Sequence, residues 1–130
     1  MAFLLCKNDL ADIPAFEYLP CDDITVNVGT ALCLKSGHLT VASGTVVPEY
    51  LSMISTTVKT DGDRIPVIRV LPTMTFETAL AAANTAICVG DKYTIDANGE
   101  AITATATGGV ATVCDFDGTS AGDKVRVRFA

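Results

Sequence analysis

Gly122-Asp-Lys-Val-Arg-Val-Arg-Phe129 carries the clearest secondary-structure signal in the chain. Its charged and apolar residues alternate without a break. Because successive side chains of a β-strand point to opposite faces, the pattern predicts a strand that turns Val125, Val127 and Phe129 toward a core and its cations toward water. The glycine and aspartate in front of it predict a tight turn, since glycine accepts the positive φ that such turns require.

The same Gly-Asp-basic-apolar motif occurs three times, as Gly62-Asp-Arg-Ile65, Gly90-Asp-Lys-Tyr93 and Gly122-Asp-Lys-Val125. We expect each copy to open a strand. The first and third copies also follow a predicted hairpin, a glycine-containing break and a further apolar strand. Residues 30–71 and 91–129 are therefore interpreted as two copies of one hairpin-strand-strand unit. Two such units could pack face to face or close into one barrel, which would bury their edges.

Turn residues between apolar runs predict two hairpins. Residues 31–35 and 38–42 flank Ser36-Gly37, and residues 92–96 and 100–104 flank Ala97-Asn-Gly99. Helical periodicity is nearly absent. The alanine-rich segment 76–84 is compatible with one or two helical turns or with a strand that runs into a loop. The prediction is an all-β fold, either a small β-barrel or a β-sandwich.

The chain of 130 residues fits one domain, which we place at residues 21–130, preceded by an extended N-terminal arm at residues 1–20. Asp12-Ile-Pro14 and Leu19-Pro-Cys21 favour extended backbone, because a residue before proline avoids the α region. The arm carries an apolar tip of Phe3, Leu4 and Leu5. Two alternatives stay open: the tip packs on its own core as an edge strand, or it adds to the sheet of a partner.

Composition excludes several classes of function. The formal net charge is −6, which disfavours nucleic acid and anionic membrane as partners. No segment has the roughly 18 apolar residues of a membrane span, and the first residues lack the charge and length of a signal peptide. We therefore expect a cytoplasmic protein, or one assembled there. The five cysteines show no metal or disulfide spacing, and Cys33, Cys88 and Cys114 lie in apolar runs that predict burial.

No catalytic constellation is apparent. The single histidine, His38, falls at a predicted hairpin turn and has no nucleophile at a recognisable spacing. The acidic clusters Asp22-Asp23, Asp61-Gly-Asp63 and Asp115-Phe-Asp117 fit turn capping better than a calcium loop. We expect no catalytic residue, no cofactor, no metal and no enzymatic activity.

The C-terminal third resembles the ending of the phage capsid decoration (cement) proteins. The resemblance rests on Gly90-Asp-Lys-Tyr-Thr-Ile-Asp-Ala-Asn-Gly-Glu-Ala-Ile-Thr-Ala-Thr-Ala-Thr-Gly-Gly-Val-Ala-Thr-Val113 and on Ala121-Gly-Asp-Lys-Val-Arg-Val-Arg-Phe129. It is looser over residues 24–71 and gives no match in the arm. This chain differs in its longer first repeat and its five cysteines.

This resemblance implies a structural virion protein that binds the outer surface of a phage head and clamps neighbouring subunits of the major capsid protein. It also implies self-association, in some members as a homotrimer, and assembly in the bacterial host cytoplasm. Phe3, Leu4 and Leu5 are then the expected capsid-contact residues. The alternatives are a tail, neck or head-fibre component, or a soluble ligand-binding β domain without enzymatic activity.

Overall fold

The computed structural model describes residues 2–9 and 14–129, and within them it contains strands and no helix. The all-β prediction is confirmed. The strands are β1 (Leu4–Asn8), β2 (Glu17–Pro20), β3 (Thr25–Val26), β4 (Ala31–Lys35), β5 (His38–Val41), β6 (Tyr50–Ser52), β7 (Thr56–Thr57), β8 (Arg64–Arg69), β9 (Met74–Ala79), β10 (Lys92–Tyr93), β11 (Ala111–Phe116) and β12 (Lys124–Arg128).

The strands form two five-stranded antiparallel sheets and a short ribbon. Sheet A has the order β1-β9-β12-β11-β10, and sheet B has the order β2-β8-β6-β4-β5. The ribbon pairs β3 with β7. Of the two architectures left open by the sequence, the arrangement is β-sandwich-like, since the described strands are organised as two separate five-stranded sheets that pack on a common core.

The two sequence repeats occupy equivalent places in the two sheets. In the first unit β8, β6 and β4 are successive neighbours in sheet B, and in the second unit β12, β11 and β10 are successive neighbours in sheet A. Each unit therefore contributes three antiparallel strands in the same order. The hairpin, the break, the strand and the Gly-Asp turn recur in both.

Each Gly-Asp motif makes the same turn before its strand. Gly62, Gly90 and Gly122 have φ values of 95°, 93° and 88°. Positive φ at the third position, with a hydrogen bond from the fourth residue to the first, is typical of a type II turn and explains the glycine. The three bonds run from Asp63 N to Thr60 O (3.0 Å), from Asp91 N to Cys88 O (3.1 Å) and from Asp123 N to Ser120 O (3.1 Å).

Two of these aspartates also accept hydrogen bonds from the backbone. The Asp91 carboxylate accepts the N–H of Cys88 at 3.0 Å, and the Asp123 carboxylate accepts the N–H of Ser120 at 3.0 Å. The turn is thus closed twice, once through the main chain and once through the side chain.

The first predicted hairpin is formed by β4 and β5, with Lys35 paired to His38 across a two-residue loop. Ser36 and Gly37 both have positive φ (52° and 82°), which matches a type I′ turn. The second hairpin is less regular. Its two arms are joined by the bridge between Ile95 and Ile102 and by backbone hydrogen bonds such as the one from Thr103 N to Thr94 O, but they form no continuous pair of strands. The alanine-rich segment begins as strand β9 and then leaves the sheet, which is the second of its two predicted alternatives.

The main core lies between the two sheets. From β12 it receives Val125, Val127 and Phe129, as the alternating pattern predicted, and from sheet B it receives Leu51 and Ile68. Arg126 and Arg128 point to the opposite face of β12 and are half-buried. One face of sheet A therefore packs on the core and the other carries polar side chains.

Sheet B is buried on both faces. Leu32, Leu39, Tyr50 and Val67 turn away from sheet A into a second core, which the ribbon strands help to cover with Val26 and its neighbours. The first three residues of β4 and all three residues of β6 are consequently buried. This explains why Ala31, Leu32 and Cys33 are continuously apolar instead of alternating.

The N-terminal residues form strands of the two sheets. β1 pairs with β9, and β2 pairs with β8, so each occupies an edge position. Of the two alternatives left open for the apolar tip, the structure shows the edge strand on the chain's own sheet. Residues 1 and 10–13 of the predicted arm lie outside the described residues.

Three phenylalanines hold β1 in place. Phe3 is only 1% exposed, and its ring meets Phe129 edge to face at 5.1 Å, while Phe76 lies 5.5 Å from the same ring of Phe129. The N–H of Phe3 donates to the carbonyl of Gly29 at 3.1 Å. Burial of an aromatic ring is the physical reason why the apolar tip docks on its own core.

Replacing Phe3 tests this docking. We expect Phe3→Ala to lower the free energy of unfolding by about 3–5 kcal/mol, because it leaves a cavity beside Phe129. Leu4→Ala, in the same strand but with an exposed side chain, should cost about 1 kcal/mol or less. Urea denaturation of both variants measures the difference, and equally small losses would mean that residues near the N-terminus do not belong to the fold.

Candidate functional site

The three residues predicted to contact a capsid have different environments. Phe3 is in the core, Leu5 is half-buried, and Leu4 is 54% exposed. The Phe3 ring is not at the surface in this arrangement, because it is already packed within the domain. Among the three, Leu4 is the residue whose side chain is free to meet a partner, and Phe3 anchors the strand that presents it.

The edge strands β1 and β2 carry exposed apolar side chains. Leu4 lies on β1, Tyr18 lies on β2, and Phe16 directly precedes β2; the last two are 60% and 56% exposed. The pairing of β1 is interrupted between Leu5 and Lys7, where the register shifts as in a β-bulge. An edge strand presents unpaired backbone groups to which another strand can add.

A network of charges covers the outer face of sheet A. Arg126 on β12 pairs with Glu77 on β9 at 3.2 Å, with Asp115 on β11 at 2.9 Å, and with Asp117. Lys124 makes a second contact with Glu77, at 3.6 Å. The basic residues of β12 are therefore matched by carboxylates from neighbouring strands, and this face is not a basic groove.

Asp115 and Asp117 pair with Arg126, which the sequence did not predict, and Asp115 also accepts the backbone N–H of Phe116. Hydrogen bonds from the Arg126 guanidinium, followed by the backbone N–H of Phe116, lower the pKa of the Asp115 carboxyl. The same carboxylates, Asp117 first, raise the pKa of Arg126. The cross-strand partners Asp115 and Arg126 face each other directly in the register of β11 and β12.

A second polar cluster forms at His38, which the sequence predicted to be a simple turn residue. The Nδ1 atom of His38 lies 3.0 Å from Asp61 Oδ1 and 3.4 Å from Asp22 Oδ1. One donor atom from each of the three residues lies within 4.8 Å of the others. We call this group the His38 cluster.

Backbone hydrogen bonds bring the three segments of the His38 cluster together. The N–H of Asp22 donates to the Leu39 carbonyl at 2.9 Å, and the N–H of Gly62 donates to the Cys21 carbonyl at 2.8 Å. Cys21 also bridges to Leu39 in parallel orientation. The His38 cluster therefore lies where the residues that follow β2, at one edge of sheet B, are joined to β5, at the other edge. We call this junction the seam of sheet B.

The cysteines differ from their predicted environments in two cases. Cys33 is buried as expected, whereas Cys88 is exposed and Cys114 is half-buried. Burial, together with the charges of Asp22 and Asp61, raises the pKa of the Cys21 thiol to about 11. Such a thiol stays protonated near neutral pH and is a poor nucleophile.

Comparison with protein-family models finds no family that matches this chain, and comparison with the curated proteins finds no relative. In the part of the chain that the structure describes, no helix has the length and apolar character needed to cross a membrane.

Replacing Arg126 tests the charge network. We expect Arg126→Gln to raise the pKa of Asp115 toward the ordinary aspartate value, because the guanidinium donors are lost. A lowered pKa in the folded state stabilises the fold above the ordinary pKa, and that stabilisation disappears as the pH falls through the lowered value. The loss of stability in Arg126→Gln should therefore be largest at neutral pH and should shrink in acid.

Carboxyl ¹³C NMR titration measures the pKa, and urea denaturation at several pH values measures the stability. Lys124→Gln is the matched control, because it removes a cation from the same face while Arg126 keeps its bonds to Asp115. An unchanged Asp115 pKa in Arg126→Gln would contradict the assignment.

Proposed function

We propose that this protein is a phage capsid decoration protein, which binds the outside of an assembled head and stabilises its lattice of major capsid protein subunits. The resemblance of residues 90–129 to that family carries the proposal. The Gly-Asp turns and the final strand on which the resemblance depends are all formed in the structure. Turn and strand patterns specify architecture, so the function needs its own test.

The edge strand β1 is the proposed contact with the head. Among the described residues β1 pairs with β9 alone, so its other side is available to a strand of the capsid, and Leu4 adds an exposed apolar side chain beside that edge. Phe3 packs in the core and fixes the edge strand before binding. A strand that is already ordered loses less conformational entropy on binding than a disordered arm does.

Stabilisation of the head follows from mass action. A protein that binds only the assembled lattice shifts the equilibrium toward that lattice, by an amount that grows with occupancy and affinity. If copies associate on the capsid, for example as the homotrimer that the family implies, several weak contacts act together. The net charge of −6 is compatible with a protein surface as partner and disfavours the packaged nucleic acid.

A tail, neck or head-fibre component is the second candidate, since the same β module could serve in any of these positions. A ligand-binding β domain of the host is the third. The three differ in stoichiometry and in the particle they bind, so both quantities separate them.

Leu4 is the residue at which to test head binding. We expect Leu4→Lys to weaken co-sedimentation with mature heads by about tenfold or more, because a charge replaces an apolar contact at the interface. The free energy of unfolding should change by about 1 kcal/mol or less, since the side chain is exposed. Val47→Lys is the matched control, with a side chain that is equally exposed, at 55%, and lies outside β1.

Head binding by Leu4→Lys at the strength of the unaltered protein would show that the β1 edge is not the contact. Failure of the unaltered protein to bind mature heads at all would contradict the decoration function itself.

A further inference from the structure

The His38 cluster combines one imidazole with two carboxylates from three separate segments of the chain. Asp22 follows β2, His38 begins β5, and Asp61 lies in the first Gly-Asp turn. Within the described residues, His38 is the only side chain that pairs with Asp22 or Asp61. The cluster belongs neither to the core nor to the β1 edge, so it is independent of the proposed function.

The two distances from His38 to the carboxylates match ligand–ligand distances in a metal coordination sphere. Two ligand atoms that each lie about 2.1 Å from a metal are about 3.0 Å apart at a right angle and about 3.4 Å apart at a tetrahedral angle. The His38 Nδ1 atom lies 3.0 Å and 3.4 Å from the two carboxylate oxygens. These side chains are half-buried or exposed, so small rotations suffice to close on an ion.

A hydrogen bond between His38 and one aspartate explains only one of the two short distances from Nδ1. Nδ1 carries at most one proton, which can be directed at one acceptor, so Asp22 and Asp61 cannot both receive a good hydrogen bond from it. With a neutral imidazole, the carboxylates of Asp22 and Asp61, which each place an oxygen within 4.8 Å of the other, also repel each other. A divalent cation between the three ligands would satisfy all of them.

We propose that the His38 cluster binds a divalent transition-metal ion, with zinc as the probe of choice, through His38 Nδ1 and one oxygen each of Asp22 and Asp61. A mixed nitrogen and oxygen ligand set suits zinc and its neighbours, whereas magnesium and calcium prefer oxygen alone. The remaining positions are open to water or to a ligand from another molecule.

The bound ion would cross-link the two sides of sheet B at its seam. Its three ligands come from both sides of that seam, where Cys21 and Asp22 meet Leu39 and the first Gly-Asp turn. An ion that binds only the folded arrangement stabilises it in proportion to the free ion concentration. Zinc should therefore raise the midpoint of thermal unfolding.

Isothermal titration calorimetry with zinc chloride tests the proposal, in a background in which the exposed thiols are removed by Cys6→Ser and Cys88→Ser. We expect one zinc ion per chain. His38→Asn and Asp61→Asn should each weaken binding by about tenfold or more. Asp63→Asn is the matched control, because Asp63 lies two residues from Asp61 and outside the cluster, and it should change the affinity by about twofold or less.

An NMR measurement on a chain that keeps His38, Asp22 and Asp61 tests the proposal even if the substituted variants fail to fold. Long-range ¹H–¹⁵N NMR correlations of His38 should show zinc bound at Nδ1, and magnesium at the same concentration should leave them unchanged. Absence of zinc binding, binding that is equally tight in His38→Asn, or spectra of His38 that zinc does not alter would each overturn the proposal.

Discussion

Burial of both faces of sheet B is the constraint on which the rest of the structure depends. One face packs on sheet A and the other forms the second core beneath the β3–β7 ribbon. The elements that neighbour sheet B must therefore place apolar side chains against one of its two faces. This requirement determines the positions of the N-terminal strands, the ribbon and the second repeat. Sheet A has one core face only, so its outer face is free to carry the Arg126 network.

The same constraint determines which surfaces are available for binding. Packing against Phe129 draws Phe3 into the domain and leaves Leu4 on an edge strand. The approach of the two sides of sheet B brings His38 to Asp22 and Asp61. Both candidate sites thus depend on how the sheet edges are arranged. One lies on β1, which pairs only with β9 within the described part of the chain, and the other lies where backbone hydrogen bonds join the two sides of sheet B.

Local patterns predicted the local parts of this arrangement. Alternation predicted β12, Ser36-Gly37 predicted the first hairpin, and the repeated motif predicted three equivalent turns. The His38 cluster was missed because its ligands are far apart in sequence, Asp61 lying 23 residues from His38, and they meet only through long-range strand pairing. The ribbon and the docking of Phe3 likewise depend on contacts for which a short window of sequence carries no signal.

The most direct test of the central claim is quantitative mass spectrometry of gradient-purified virions from the source culture. A decoration protein should be present on the order of hundreds of copies per particle, in proportion to the number of capsid subunits, because the lattice repeats its binding site. A handful of copies would contradict decoration and favour a neck, tail or fibre component. Absence from the particles would contradict a virion role altogether.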